Sequence, residues 1–337
     1  MHEPPTNFDS AVLPTALHTA YGISVHNVRF LPIGHDSSAW VYAAESESGG
    51  RCFLKLRAGV SNPVSLLVPR YLRDHGLPVA APLPANDGAL WTHVPPYALI
   101  VYPFIDGASA MHQGMNAAQW QEYGAILRAI HDLPVPNDLA IQLRRETFAP
   151  VGAATVRKLD AHLTATPLAD ALEERLAAFW HTRRTEIFDL VERGEALGRQ
   201  LAAQSPPSVL CHADIHTNNL LVEPNGALWV VDWDETMLAP RERDLMFVIG
   251  GISASFINPQ QETWCREGYG PIAINPLALA YYRYAWALSD IGDFAAQVVF
   301  RPDLGPVSRE AALNACIGLF APGEIVGIAG RSSAAAT

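Results

Sequence analysis

Residues 209–235 restrict the possible folds of this chain more than any other stretch. The apolar run Val209-Leu210-Cys211 leads into His212, Asp214, His216, Asn218 and Asn219. Apolar residues return at Leu220-Leu221-Val222 and again at Leu228-Trp229-Val230-Val231, which ends in Asp232, Asp234 and Glu235. Two polar clusters, each at the end of a strand-like segment and joined by a hairpin, predict two loops that share a cleft. Three acids within four residues repel one another unless a cation sits among them. For either cluster alone, a solvated surface loop is the plain alternative.

The flanking sequence divides in two. A short helix over 11–22 precedes strand patterns at 28–31, 40–44 and 51–56, with the turn-forming cluster Glu45-Ser46-Glu47-Ser48-Gly49-Gly50 between the last two. A helix over 64–75 and a strand over 98–102 complete a mostly antiparallel sheet. After Pro103 the pattern turns helical, over 117–133, 155–165, 168–203 and 276–297. The expected class is α+β and bilobal. A β-rich lobe spans 1–103, a helical lobe carrying the 209–235 loops spans 104–330, and residues 331–337 form a frayed tail.

Composition narrows the function. At 337 residues, 49% hydrophobic and 17% charged, the chain can bury a large core. A net charge of −11 disfavours nucleic-acid binding and suits either a cationic small ligand or simple solubility. The four cysteines, Cys52, Cys211, Cys265 and Cys316, form no C-x-x-C pair, so neither a zinc ribbon nor a disulfide framework is expected. The acidic, Pro-rich start lacks a signal-peptide pattern, and no apolar run is long enough to span a membrane. A soluble cytoplasmic protein, monomer or homodimer, is expected.

Three reactive elements remain. Lys55 lies in an apolar strand and must meet an anion or reach solvent. His212, Asp214 and Asn219 form H-x-D-x-x-x-x-N, and Asp232 follows a hairpin. Phosphoryl transfer uses a strand lysine on phosphates, an aspartate that orients the acceptor hydroxyl, an asparagine five residues later, and a further metal-binding aspartate. The four residues occur here in that order. The rival is a zinc hydrolase built on His212, Asp214 and His216, but acids rather than histidines follow downstream.

Leu210-Cys211-His212-Ala213-Asp214-Ile215-His216 with Asn219, and Val231-Asp232-Trp233-Asp234, resemble the aminoglycoside phosphotransferase and choline kinase-like superfamily, relatives of protein kinases. Tyr102 to Gly107 is similar to its hinge, and Gly124, Leu127, His131, Leu133 and Pro134 to its next helix. The run Asp232 to Phe247, Glu267-Gly268-Tyr269-Gly270 and Tyr281-Tyr282-Arg283 resemble the spectinomycin phosphotransferase branch. The resemblance implies a protein kinase-like fold, ATP and Mg²⁺ as cofactors, and a kinase acting on a small aminocyclitol or amino-alcohol acceptor. Asp214 would be the catalytic carboxylate, Asn219 and Asp232 the metal ligands, and Lys55 the phosphate lysine. Gly34, Asp36, Ser37 and Ser38 would cover the phosphates. Pro103, Phe104 and Ile105 would hold adenine through the backbone. His212 and Asp244 would support the loop.

One departure stands out. No glutamate occurs between Lys55 and the hinge, whereas protein kinases pair the lysine with one. Asp74 or an active-site acid must substitute, or the lysine lacks that partner. For the acceptor, Asp234, Glu235, His216, Arg283 and Asp290, with Asp293, are candidates. Trp233, Trp264, Tyr269 and Trp286 could wall a cation or sugar ring, although core packing is the commoner role for each. Spectinomycin heads the expected acceptors. A housekeeping kinase of another amino alcohol or sugar, and an inactive nucleotide-binding module, remain alternatives.

Overall fold

The computed structural model describes residues 4–5, 8–33, 39–60, 62–165 and 167–334. The expected 34–38 phosphate loop, with Gly34, Asp36, Ser37 and Ser38, lies outside them. Contacts divide the chain into two compact units. The first holds residues 1–143 and 212–236, and the second holds 144–211 and 237–337. Segment 212–236, which carries both polar clusters, therefore groups with the N-terminal sheet, a different division from a boundary at residue 103.

In the first unit, β1 (Val25–Leu31), β2 (Ala39–Ser46), β3 (Arg51–Arg57), β4 (Thr92–Val94) and β5 (Tyr97–Pro103) form a five-stranded sheet ordered β1-β2-β3-β5-β4. All of its pairings are antiparallel. Strand alternation sorts β3 into two faces. Cys52, Leu54 and Leu56 join Leu13 and Leu17 of α1 (Leu13–Tyr21) in a core cluster. The opposite face carries Arg51, Phe53, Lys55 and Arg57. Leu66 of α2 (Val64–Asp74) packs with Ile100 and Leu90 in a second cluster. β4 was not visible in the sequence pattern because it is three residues long.

Beyond the sheet, β6 (Ala108–Ser109) is followed by α3 (Ala110–Gln113) and α4 (Ala117–Asp132). Asn116 and Gln119 close the start of α4 with reciprocal capping bonds. The short α5 (Asn137–Ala140) ends the first segment.

The second unit contains β7 (Arg144–Arg145), α6 (Val151–Ala165), α7 (Ala171–Gln204) and β8 (Val209–Cys211). In the first unit, β9 (Leu220–Val222) and β10 (Leu228–Val230) form the hairpin expected after the polar loop. They complete a three-stranded sheet ordered β10-β9-β6. Gly107 lets β6 approach β9 closely: a Cβ there would lie 3.0 Å from the Val222 carbonyl oxygen. The chain re-enters the second unit at β11 (Met237–Ala239), which pairs antiparallel with β8.

The remaining helices are α8 (Glu242–Leu245), α9 (Pro259–Tyr269), α10 (Pro276–Val299), α11 (Pro306–Gly318) and α12 (Ile325–Ala334). α10 is the apolar spine of this unit, burying Tyr281, Tyr282, Tyr284, Leu288, Ile291 and Ala295. α6 crosses it at minimal separation, because a Cβ on Gly152 would fall 2.2 Å from the Leu288 carbonyl oxygen. The tail expectation is corrected over 331–334: these residues continue α12, where Ser332 receives a bond from Arg283. Residues 335–337 lie outside the description. No helix among the described residues is long and apolar enough to cross a membrane.

The Gly152 contact is backbone against backbone, so no flexible side chain can yield. Gly152→Ala is expected to cost about 1–3 kcal/mol of stability. Gly305→Ala, where nothing lies within 4 Å, should be nearly neutral. Urea unfolding of the two variants checks this contrast.

Candidate active site

The polar loop after β8 is held by His212. Its Nδ1 accepts the Asp214 backbone N–H at 3.2 Å, which places the ring proton on Nε2. Nε2 then donates to the Val231 carbonyl at 2.9 Å. One neutral imidazole thus ties the loop bearing Asp214 to the strand end bearing Asp232. Its ring packs on Trp233, with centroids 4.6 Å apart. Two non-glycine residues here adopt left-handed backbone, Ala213 at φ 69° and Asp232 at φ 63°. Each such residue costs roughly 1–2 kcal/mol, and such strain concentrates where side chains are aimed for function.

Asn219 adds the next constraint. Its Nδ2 donates to the Asp214 backbone oxygen at 2.8 Å and to Asp214 Oδ2 at 3.1 Å. His216 approaches the other carboxylate oxygen, with Nε2 at 3.3 Å from Oδ1. His216 Nδ1 accepts the Asn218 N–H at 3.2 Å and so caps the short turn Thr217–Asn219. Tyr123 of α4 donates to the Ile215 carbonyl at 2.7 Å, and Ser109 of β6 donates to Asn218 Oδ1 at 2.9 Å. The loop is therefore anchored from α4 and β6 as well as by its own side chains.

These bonds decide the ligand chemistry. Both His212 nitrogens are engaged with backbone, so the zinc-hydrolase alternative lacks its first ligand. Asn219 spends its amide nitrogen on Asp214, leaving the amide oxygen as its ligand atom. Asp232 is exposed at the strand end. Hard oxygen donors of this kind fit Mg²⁺ better than a soft-ligand metal.

Of the two expected substitutes for the missing glutamate, an active-site acid meets the lysine. Lys55 Nζ lies 3.3 Å from Asp234 Oδ2. Arg57 Nη1 contacts the same carboxylate at 3.1 Å from Oδ1 and 3.2 Å from Oδ2. Asp74 bonds to Arg70 instead, with Nε donating to Oδ2 at 3.1 Å. The acid that meets Lys55 in place of the absent glutamate is Asp234. Arg57 and Phe53 were missed as members of this face. Strand alternation from Lys55 was the available signal. A second signal lay in composition: the chain has only two lysines, Lys55 and Lys158. Where arginine serves almost everywhere else, a lysine at this position marks a need for a compact ammonium.

At the hinge, the Phe104 N–H donates to the Arg51 carbonyl at 3.2 Å. That donor is therefore spent, and base recognition would fall to the Pro103 and Phe104 carbonyls and to Ile105. Arg51 lies over the Phe104 ring at 4.3 Å and pairs with Asp106 at 2.9 Å. Tyr102 and Phe53 meet edge to face, with centroids 6.3 Å apart. Burial, then the Asp234 and Asp232 carboxylates, push the Tyr102 hydroxyl pKa upward, so it stays protonated.

Other candidates fall in the second unit. Arg283 is corrected. It is 9% exposed and donates to the Ile249 carbonyl and, at 2.6 Å, to Ser332, so it fastens α10 internally. Asp290 is half-buried on α10, and Glu235, in the first unit, is exposed. Asp244 is fully buried in α8, and after burial itself its carboxylate is the next cause raising the Cys211 thiol pKa. Trp233 and Tyr269 are core residues, and Arg243 covers the Trp286 ring at 5.1 Å.

Sheet, loop and cation face together define a phosphotransferase architecture. Residues 29–274 match the phosphotransferase enzyme family, and the chain belongs to that family. The solved spectinomycin phosphotransferase APH(9)-Ia, in complex with ADP and spectinomycin, is 31% identical. The match covers 97% of this chain and 99% of that one, with a TM-score of 0.88. Its AMP-bound complex matches over 96% and 98% at the same 31% identity, with a TM-score of 0.82. Protein StrN of Streptomyces griseus is 23% identical over 289 residues, covering 80% of this chain and 79% of that protein. The α+β, kinase-like fold expected from sequence is the fold found, and the chain is a phosphotransferase enzyme.

Burial holds the His216 pKa below the ordinary imidazole value of about 6.5. A depressed pKa means the unfolded chain binds the proton first. The stability contribution of neutral His216 is complete above that ordinary value and falls as pH drops through the window beneath it. Urea midpoints of wild type and His216→Gln, measured from pH 7.5 down to pH 5, should show a steeper decline in wild type. Parallel profiles would contradict the assignment.

Proposed function

We propose that this enzyme transfers the γ-phosphate of ATP to a hydroxyl of spectinomycin or a closely related aminocyclitol, a reaction that would confer antibiotic resistance. The observation that carries this reading is one compact unit holding Lys55, Asp214, Asn219 and Asp232 with the chemistry and chain order phosphoryl transfer needs. The 31% identity to a spectinomycin phosphotransferase over 97% of the chain supports the acceptor. We assign 1–103 to nucleotide binding and 104–330 to the catalytic loop and acceptor. Four free, buried cysteines and ATP consumption fit a cytoplasmic setting.

Asn219 Oδ1 and the Asp232 carboxylate would hold Mg²⁺, which would neutralise charge on the transferring phosphate. Lys55 binds the α- and β-phosphates. The Phe53 and Tyr102 rings offer an apolar surface for adenine, with the Pro103 to Ile105 backbone along its edge. Asp214 orients the acceptor hydroxyl and receives its proton. Asn219 fixes the carboxylate plane, and His216 steadies its second oxygen. Glu235, exposed at the end of the segment that carries Asp232, is assigned to an ammonium group of the acceptor.

The test is mass-spectrometric detection of phosphorylated product after incubation with ATP, Mg²⁺ and spectinomycin, with choline, ethanolamine and sugars alongside. Spectinomycin should gain one phosphate. Turnover of another alcohol in its place would replace the acceptor, and turnover of none would remove the kinase reading. Asp214→Ala should lower turnover by about 10²–10⁴-fold with nucleotide binding retained. Wild-type turnover in this variant would take Asp214 out of the mechanism.

A further inference from the structure

The face of β3 opposite the core cluster carries two cations, two residues apart, and both reach one carboxylate. Lys55 contacts Asp234 Oδ2, and Arg57 contacts both Asp234 oxygens. All three side chains are substantially buried, at 19% exposure for Lys55, 21% for Arg57 and 34% for Asp234. Two cations thus share one carboxylate. A lysine–carboxylate pair alone would suffice to locate Lys55. The extra guanidinium makes the trio fit for an anion of higher charge.

We propose that Arg57 is a second phosphate-binding cation, and that Asp234 is a displaceable counter-ion that holds Lys55 and Arg57 until a nucleotide polyphosphate replaces it. The inference rests on the kinase reading and adds to it a binding residue and a positioning residue. Arg57 shares its strand face with Lys55 and Phe53, so a nucleotide whose base meets Phe53 would run its phosphates past Lys55 towards Arg57. Guanidinium geometry suits the outer phosphates, to which it can donate two parallel bonds. Asp234 keeps both cations pre-positioned at a modest cost. It shields them from each other, and it competes with phosphate for the same donors.

The two residues should therefore shift nucleotide affinity in opposite directions. Calorimetric titration with adenosine and with ADP, both without divalent cation, separates phosphate recognition from base recognition. Arg57→Ala should weaken ADP about tenfold, close to 1.4 kcal/mol, with adenosine unchanged. Arg57→Lys should recover most of the loss. Asp234→Asn should tighten metal-free ADP. In turnover, Arg57→Ala should raise KM for ATP more than it lowers kcat, a split that a folding defect would not produce. Equal losses for adenosine and ADP, unaltered ADP binding in Arg57→Ala, or weaker ADP binding in Asp234→Asn would each overturn the inference. Wild-type protein that binds neither ligand would overturn the kinase reading itself.

Discussion

The imidazole of His212 fixes the geometry on which the site depends. A single neutral ring spans the gap between two loop segments, accepting from Asp214 and donating to Val231. Each bond is worth only about 0.5–1.5 kcal/mol net, yet together they hold Ala213 and Asp232 in left-handed backbone that neither would choose alone. Released from that ring, the Asp214 carboxylate and the Asp232 carboxylate would lose their shared frame. The ring is buried against Trp233, which holds its plane. This makes His212 a structural tie between the two loop segments, with both ring nitrogens engaged by backbone.

Charge balance is the second organising constraint. Asp214, Asp232 and Asp234 stand within one stretch of chain, and only part of their charge is matched by protein. Lys55 and Arg57 compensate Asp234, while Asn219 and His216 offer neutral donors to Asp214. Asp232 is left exposed to meet an external cation. In the proposed reaction the three acids divide their work: one for the protein's own cations, one for a metal and one for the acceptor proton. The absent helix glutamate is thereby understood. Its partner role falls to Asp234, two positions beyond Asp232.

Much of this was legible in the sequence because it depended on local spacing. The five-residue interval from Asp214 to Asn219 and the hairpin before Asp232 are short-range features, and the antiparallel N-terminal sheet followed from alternation and turn residues. The Asp234 partnership was not legible, because it joins residues 179 positions apart in sequence. Arg283 misled for a physical reason: a cation amid aromatics on a helix face reads as a binding stripe, but here its donors close onto a backbone carbonyl and Ser332. α9 was passed over because its first turns are polar, although Asn258 and Gln261 form a capping box that announces its start. The grouping of 212–236 with the N-terminal sheet depends on packing, which no local pattern encodes.

The central claim is that Asn219 and Asp232 make an oxygen-ligand site that completes itself around a nucleotide. Electron paramagnetic resonance of Mn²⁺, used in place of Mg²⁺, tests it directly. Titrating Mn²⁺ into wild-type protein with ADP should reveal one bound ion per chain, and Asp232→Asn should weaken that site by at least about tenfold. Mn²⁺ bound equally well by the Asp232→Asn variant, or bound to wild type without regard to ADP, would contradict it.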